Sequence, residues 1–128
     1  MVQQITEGVS IGVEVFFLHE QSNPINNEYF FAYRITVGNL SKYPVRLQSR
    51  YWNILDSNGS HRVVEGEGVV GQQPIIGAGE QYQYTSACNL RTDIGKMYGY
   101  YIFENLFDKK TFKVAIPVFQ LLAPFKLN

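Results

Sequence analysis

The sequence is poor in the residues that usually carry chemistry. Its 128 residues include two histidines, His19 and His61, far apart in the chain, and a single cysteine, Cys88. One cysteine excludes an internal disulfide and fits a reducing compartment. Two separated histidines supply little toward a metal centre, and no serine sits on a glycine-flanked elbow beside a base. An enzyme is therefore not the expected reading. Charge is also scarce, at 17% of residues, and balanced at 11 basic and 11 acidic, with a pI near 6.7. That excludes a global basic footprint for DNA, and it excludes a disordered acidic or basic tail. Long apolar runs are missing too. The stretch from Val114 to Phe119 is interrupted by Pro117 and ends at Gln120, whereas a spanning helix needs about 20 apolar residues. No membrane insertion is expected. The N-terminus lacks a basic region followed by an apolar run, so no signal peptide is expected and a cytoplasmic location is.

Helical periodicity is the last thing missing. No window repeats apolar residues at three and four spacing over ten positions, and Leu90 to Gly95 offers one helical turn at most. What the chain has instead is alternation. Val9, Ile11, Val13, Val15 and Phe17 share one parity, as do Tyr29, Phe31, Tyr33, Ile35 and Val37. On pleated strands each set lines one face. A third strand is predicted over 45–56, with Trp52 and Ile54 opposite Tyr51 and Leu55. Asp56-Ser57-Asn58-Gly59 then reverses the chain, because Asn-Gly supplies positive φ. Further strands are predicted over 61–67, 81–88, 97–104 and 111–119, the last with Phe112, Val114, Ile116 and Val118 on one side. About seven short strands with turn signals between them describe an all-β fold. The expected architecture is an antiparallel β-sandwich of the immunoglobulin-like or fibronectin type III-like kind, one domain over residues 1–128. The missing cysteine pair favours the fibronectin-like variant.

Gly66-Glu67-Gly68-Val69-Val70-Gly71 matches G-x-G-x-x-G. The dinucleotide fingerprint requires a strand before it and a helix after it. Pro74 and Gly77 follow instead, so the Rossmann reading fails. Two readings remain. Successive backbone amides form an anion-binding nest without a helix, with Gly66, Gly68 and Gly71 holding pyrophosphate or a nucleotide phosphate and Arg50 or Arg62 as counter-charge. The plainer reading is architectural: glycines permit bulges and crossings, with Val69 and Val70 plugged into the core. Glu65 and Glu67 share a strand face, and Asp56 is a candidate third ligand across the hairpin. Weak Mg²⁺ or Co²⁺ binding there is weighed against a solvated acidic edge; no resident cofactor is expected.

Contact surfaces come from arginine and tyrosine. Arg34, Arg46 and Arg50 have parities opposite to the apolar residues of their strands, and Arg46, Arg50 and Trp52 share one parity. Arginine with aromatics suits a protein interface, or an outer sheet face covered by long side chains. Single-stranded RNA is a minor third option at zero net charge. Tyr98 and Tyr100 lie opposite Tyr101 on a Tyr-rich strand, so one set faces outward for contact.

Taken together, these residues carry a resemblance. Arg50-Tyr51-Trp52, the glycine run with Gln72-Gln73-Pro74, Tyr84-Thr85-Ser86, Gly95, Met97, Gly99 and Tyr101, and Ile116-Pro117 with Phe119 resemble the ApaG domain family across nearly the whole chain. The resemblance implies a fibronectin type III-like sandwich without an established catalytic activity, and an association with cobalt resistance and magnesium efflux. It implies also that the glycine run is a suggested nucleotide or pyrophosphate site. Two departures stand out. Ala78 replaces the proline usual before Gly79, and the last hairpin, Glu104 to Asp108, has no glycine. Its apolar Leu106 and Phe107 are candidates for docking on a neighbour. The leading functional expectation is a non-enzymatic module that binds a protein partner or a second copy of itself as a homodimer. The alternative is a phosphate-ligand sensor at 66–71.

Overall fold

The computed structural model describes residues 1–124; residues 125–128 of the expected domain lie outside them. Nine strands run in chain order: β1 (Val2–Thr6), β2 (Val9–Phe17), β3 (Tyr29–Asn39), β4 (Val45–Asp56), β5 (His61–Glu67), β6 (Ile75–Ile76), β7 (Gln81–Leu90), β8 (Ile94–Asn105) and β9 (Thr111–Leu122). The seven predicted strands are all present. The two additions, β1 and the two-residue β6, are short pieces with little alternation to announce them. A 3-10 turn at Pro24–Asn26 is the one helical element among the described residues, and Leu90 to Gly95 is instead the end of β7, a bend at residues 91–93 and the start of β8.

One sheet has the order β1-β2-β3-β7. The other has the order β5-β4-β8-β9, with β6 added beside β4. All pairings are antiparallel. The alternation of β2 and β3 does what its period demands: Val9, Ile11, Val13, Phe31, Tyr33, Ile35 and Val37 are all buried between the sheets. Trp52 sits at the centre of the opposing sheet, its ring 5.4 Å from that of Tyr33, 5.8 Å from that of Phe119 and 6.2 Å from that of Tyr101. These are edge-to-face contacts, the arrangement the ring quadrupole favours. The β4–β5 hairpin closes at Asp56–Gly59 as predicted. Gly59 has φ +90°, and its N–H donates to the Asp56 carbonyl at 3.0 Å.

Two bulges correct the parity expected from sequence. In β4 the register passes from Leu47 opposite Phe103 to Ser49 opposite Ile102, which leaves Gln48 as an extra residue. Val45 and Leu47 point inward before it; Trp52 and Ile54 point inward after it. Arg46 and Arg50, expected on one face, therefore stand on opposite faces, and Arg50 shares the inner face with Trp52. In β9 the register passes from Met97 opposite Phe119 to Gly99 opposite Ile116. The extra residue falls at Pro117–Val118, where a missing proline N–H already breaks the ladder. Val118, expected beside Ile116, is turned outward and is 57% exposed, while Phe119 and Leu121 take its place inside.

The bulge makes neighbouring aliphatic positions of β9 unequal. Ile116→Ala should cost about 2–5 kcal/mol by opening a core cavity. Val118→Thr should stay within about 0.5 kcal/mol. Urea unfolding of the two variants checks this, and equal losses would contradict the inverted parity.

Candidate functional site

The Gln48 bulge aims Arg50 into the end of the glycine run. Arg50 lies opposite Gly66 in the β4–β5 register, and its guanidinium lies across that glycine. A Cβ at position 66 would stand 3.0 Å from Nη1 and 3.2 Å from Nη2. Nη1 donates to the carbonyls of Glu67 at 3.1 Å and Gly68 at 2.9 Å. Gly68 has φ +61°, and a Cβ there would lie 2.1 Å from the Gln72 carbonyl oxygen, so no side chain fits. Its N–H donates to the carbonyl of the bulge residue Gln48 at 2.6 Å, and Gln73 Nε2 donates to that same carbonyl at 2.9 Å.

The next turn is closed by reciprocal bonds between Val69 and Gln72, at 2.8 and 3.0 Å. Val70 and Gly71 hold φ of +49° and +76°, the signs of a type I′ turn. Val69 is fully buried, as expected. Val70 is not: it is 64% exposed at the corner of the turn. A β-branched residue with positive φ is a genuine outlier, costing on the order of 1–3 kcal/mol. The groups that converge at Gly66–Gly68 are thus carbonyls, and they are occupied by a cation from the same chain. An anion nest needs the opposite polarity. The amides of Val70 and Gly71 alone lie outside the turn's hydrogen bonds.

The other expected site residues are dispersed. Arg62 reaches across the open side of the sandwich to β7, donating to the carbonyl and Oδ1 of Asn89 and to Cys88 Sγ. It lines a polar cavity of about 200 Å³ with Asp56, Ser60, Asn89 and Arg91. Arg34 pairs with Glu14 at 2.8 Å on the outer face of the four-stranded sheet, its guanidinium 5.4 Å from the Phe16 ring centroid. Arg46 pairs with Glu104 at 3.5 Å on the outer face of the other sheet. Glu65 and Glu67 are exposed on the outer face of β5, opposite Tyr51 and Ser49. Asp56 stands at the far end of that hairpin and accepts from Arg91 N–H at 2.7 Å and from Thr92 Oγ1. Among the described residues no group of three or more His, Cys, Asp or Glu side chains gathers as a metal site requires.

The Leu106–Phe107 tip is anchored to its own chain, while Phe107 stays 62% exposed. Leu106 N–H donates to the Pro44 carbonyl, and Phe107 stacks on Tyr43 with centroids 4.4 Å apart. Lys109, with φ +63°, takes the left-handed position that a glycine would hold in that hairpin.

Tyr98 and Tyr100 are on the outer face of β8, as their parity opposite Tyr101 required. Tyr100 stacks on Tyr51 across the strand pair, with centroids 5.0 Å apart and planes 11° from parallel, and Lys113 Nζ lies 4.2 Å from the Tyr100 ring centroid. Sequence reading placed Tyr51 opposite Trp52 without assigning it a role, because the stack depends on the β4–β8 register.

The inner face holds a second group that sequence reading passed over. The hydroxyls of Tyr84 and Tyr101 are hydrogen-bonded to each other in the core, and Tyr33 lies opposite Ser86 in the β3–β7 register. Tyrosine rather than phenylalanine at such inward positions is the available signal, since a buried hydroxyl needs a partner. Burial pushes all three phenols above the ordinary tyrosine value of 10.0, and the Arg50 charge opposes the shift in each. Burial likewise pushes the Cys88 thiol up, with Arg62 opposing, so this cysteine is held as an inert thiol.

With this geometry in hand, the comparisons are specific. The ApaG domain family profile matches residues 19–105. The chain belongs to the ApaG family. Relatives called Protein ApaG include those of Sinorhizobium fredii, 44% identical over 97% of this chain and 95% of its own length, and of Rhizobium meliloti, 43% identical over the same shares. A crystal structure of a Bordetella pertussis protein given the name ApaA superposes with a TM-score of 0.88 at 37% identity, covering 92% of this chain and 95% of that one. A further structural-genomics crystal structure gives 0.86 at 37% identity, with 94% and 90% covered. None of these ApaG-family descriptions names a catalytic activity. No helix among the described residues is long and apolar enough to cross a membrane.

Two outcomes follow from the inner face. Arg50→Met should destabilise by about 1.5–3 kcal/mol, the value of charge-assisted bonds, and should speed amide exchange at Gly68. Unchanged exchange there would contradict the seating of Arg50. Separately, Tyr84 and Tyr101 release protons from the unfolded chain near pH 10 but not from the folded one. Their stabilisation is complete below that value and falls as pH rises through it toward the raised folded values. The urea midpoint should drop between about pH 9 and 11, and less steeply in a Tyr84→Phe/Tyr101→Phe variant.

Proposed function

We propose that this ApaG-family chain is a non-enzymatic binding module that acts through a protein partner, and that the partner docks on the outer face of the β5-β4-β8-β9 sheet. The observation that carries the reading is the stacked Tyr51–Tyr100 pair with Lys113 against it. Tyr98 extends this aromatic centre along β8, opposite Asn53 in the register, and the outward Val118 adds an apolar edge. Glu65, Glu67, Lys96 and Lys113 supply a polar rim of both signs. Tyrosines locked on a strand pair bring large contact area at little entropic cost, and such residues dominate binding energy at interface centres. Arg34, Arg46 and Arg50 contribute less than their residue type suggests, because each is already held by Glu14, by Glu104 or by backbone carbonyls. The link to cobalt and magnesium handling that the family resemblance implies is then indirect, through that partner.

The phosphate-sensor reading has less support. Arg50 and Arg62 are engaged elsewhere, and the Gly68 amide is used by Gln48.

A photo-crosslinking amino acid placed at Tyr98 should trap one defined protein in cells, and the purified pair should re-form. Tyr100→Ala should weaken that complex by at least roughly tenfold, the mark of a hot-spot residue. Equal trapping from position 85, on β7 of the other sheet, would count against this face.

A further inference from the structure

The open side of the sandwich ends in β5, a complete seven-residue edge strand. Its backbone orientation is fixed at both ends. Asp56 N–H donates to the Ser60 carbonyl and Gly68 N–H donates to the Gln48 carbonyl. Residues of even number therefore turn their hydrogen-bonding groups to β4. Those of His61, Val63, Glu65 and Glu67 turn outward along the free edge. The register with β4 is continuous over 61–67, so no bulge twists this edge away. No proline or lysine stands on it, and its charges are Arg62, which turns inward to its own chain, and Glu65 and Glu67 on the outer face. Val63 is 49% and Val64 39% exposed.

We propose that β5 pairs antiparallel with β5 of a second copy of this chain, about a two-fold axis at Val64. The charge pattern selects this partner and this register. With Val64 facing the second copy's Val64, His61 faces the second copy's Glu67 at both ends of the pairing. Val63 faces the second copy's Glu65, and Arg62, held on Asn89 of its own chain, faces the second copy's Gly66, over which that copy's Arg50 guanidinium lies. All seven residues pair, and no carboxylate directly faces another. Moving the axis to Glu65 would set that carboxylate against itself. Moving it to Val63 would carry Glu67 beyond the end of the partner strand. The two non-hydrogen-bonded valines at the axis stand close enough for side-chain contact. The product is a continuous sheet through both molecules, with the two tyrosine faces on the same side. The pairing does not depend on those faces binding anything.

Sedimentation velocity of the full chain over rising concentration tests the state, and cysteine mapping in a Cys88→Ala background tests the register. The chain should sediment as a dimer, with Val64→Cys oxidising to a covalent dimer and Val63→Cys remaining uncrosslinked. Glu67→Lys should raise the dissociation constant by roughly tenfold or more, and the charge-swapped His61→Glu/Glu67→Lys pair should restore it. A monomer at all concentrations overturns the proposal, as does cross-linking at Val63 in place of Val64, or a Glu67→Lys variant that dimerises as well as the parent.

Discussion

The inward reach of Arg50 is the contact on which the glycine run depends. A half-buried guanidinium on the inner face of a sandwich gains from acceptors there, because drawing charge out of water without partners is costly. The acceptors here are the carbonyls of Glu67 and Gly68, exposed at the point where β5 ends. Gly66 has no Cβ to stand in the guanidinium's way, and Gly68 adopts a backbone angle that leaves no room for one. The bulge at Gln48 completes the arrangement from the other side. It turns Arg50 inward and offers its own carbonyl to Gly68 and Gln73. A motif that in other folds cradles phosphate with amides here surrounds an arginine with carbonyls.

That contact also sorts the surfaces. Arg50 and Arg62 face the opening between the sheets, one at each end of β5, and their hydrogen bonds are spent inside the molecule. The outer face of the five-stranded sheet is left to Tyr98 and to the stacked rings of Tyr51 and Tyr100. The buried Tyr33, Tyr84 and Tyr101 hydroxyls form the polar counterpart inside, close enough to Arg50 to feel its charge.

Much of the fold was legible in the sequence because period-two alternation is a direct imprint of the pleat. The five alternating residues of β2, those of β3, and the Asn58-Gly59 turn all mean in space what they mean in the chain. The ends and small pieces, β1 and β6, carried too few residues to repeat a pattern. The two bulges were illegible for a different reason. A bulge is a property of two strands in register, and neither Gln48 nor Val118 differs in type from a regular strand residue. Each reversed the parity beyond it, which moved Arg50 inward and Val118 outward. The same limit concealed the Tyr51–Tyr100 stack. Its members were visible as aromatic residues, but their adjacency is set by pairing residues 49 positions apart in the chain. Val70 was misplaced because a valine between Val69 and Gly71 reads as core, whereas the turn geometry expels it.

The account stands or falls on the occupant of the glycine run. The most direct measurement is an NMR titration of the purified chain with pyrophosphate, following the amides of Gly66, Gly68 and Gly71 together with the Arg50 guanidinium protons. Arg50 protons protected from solvent exchange throughout, with no saturable shift centred on Gly66 and Gly68, is the result this account predicts. Saturable shifts at those two glycines, accompanied by loss of Arg50 protection, would show that an anion displaces the arginine's hold and would contradict it.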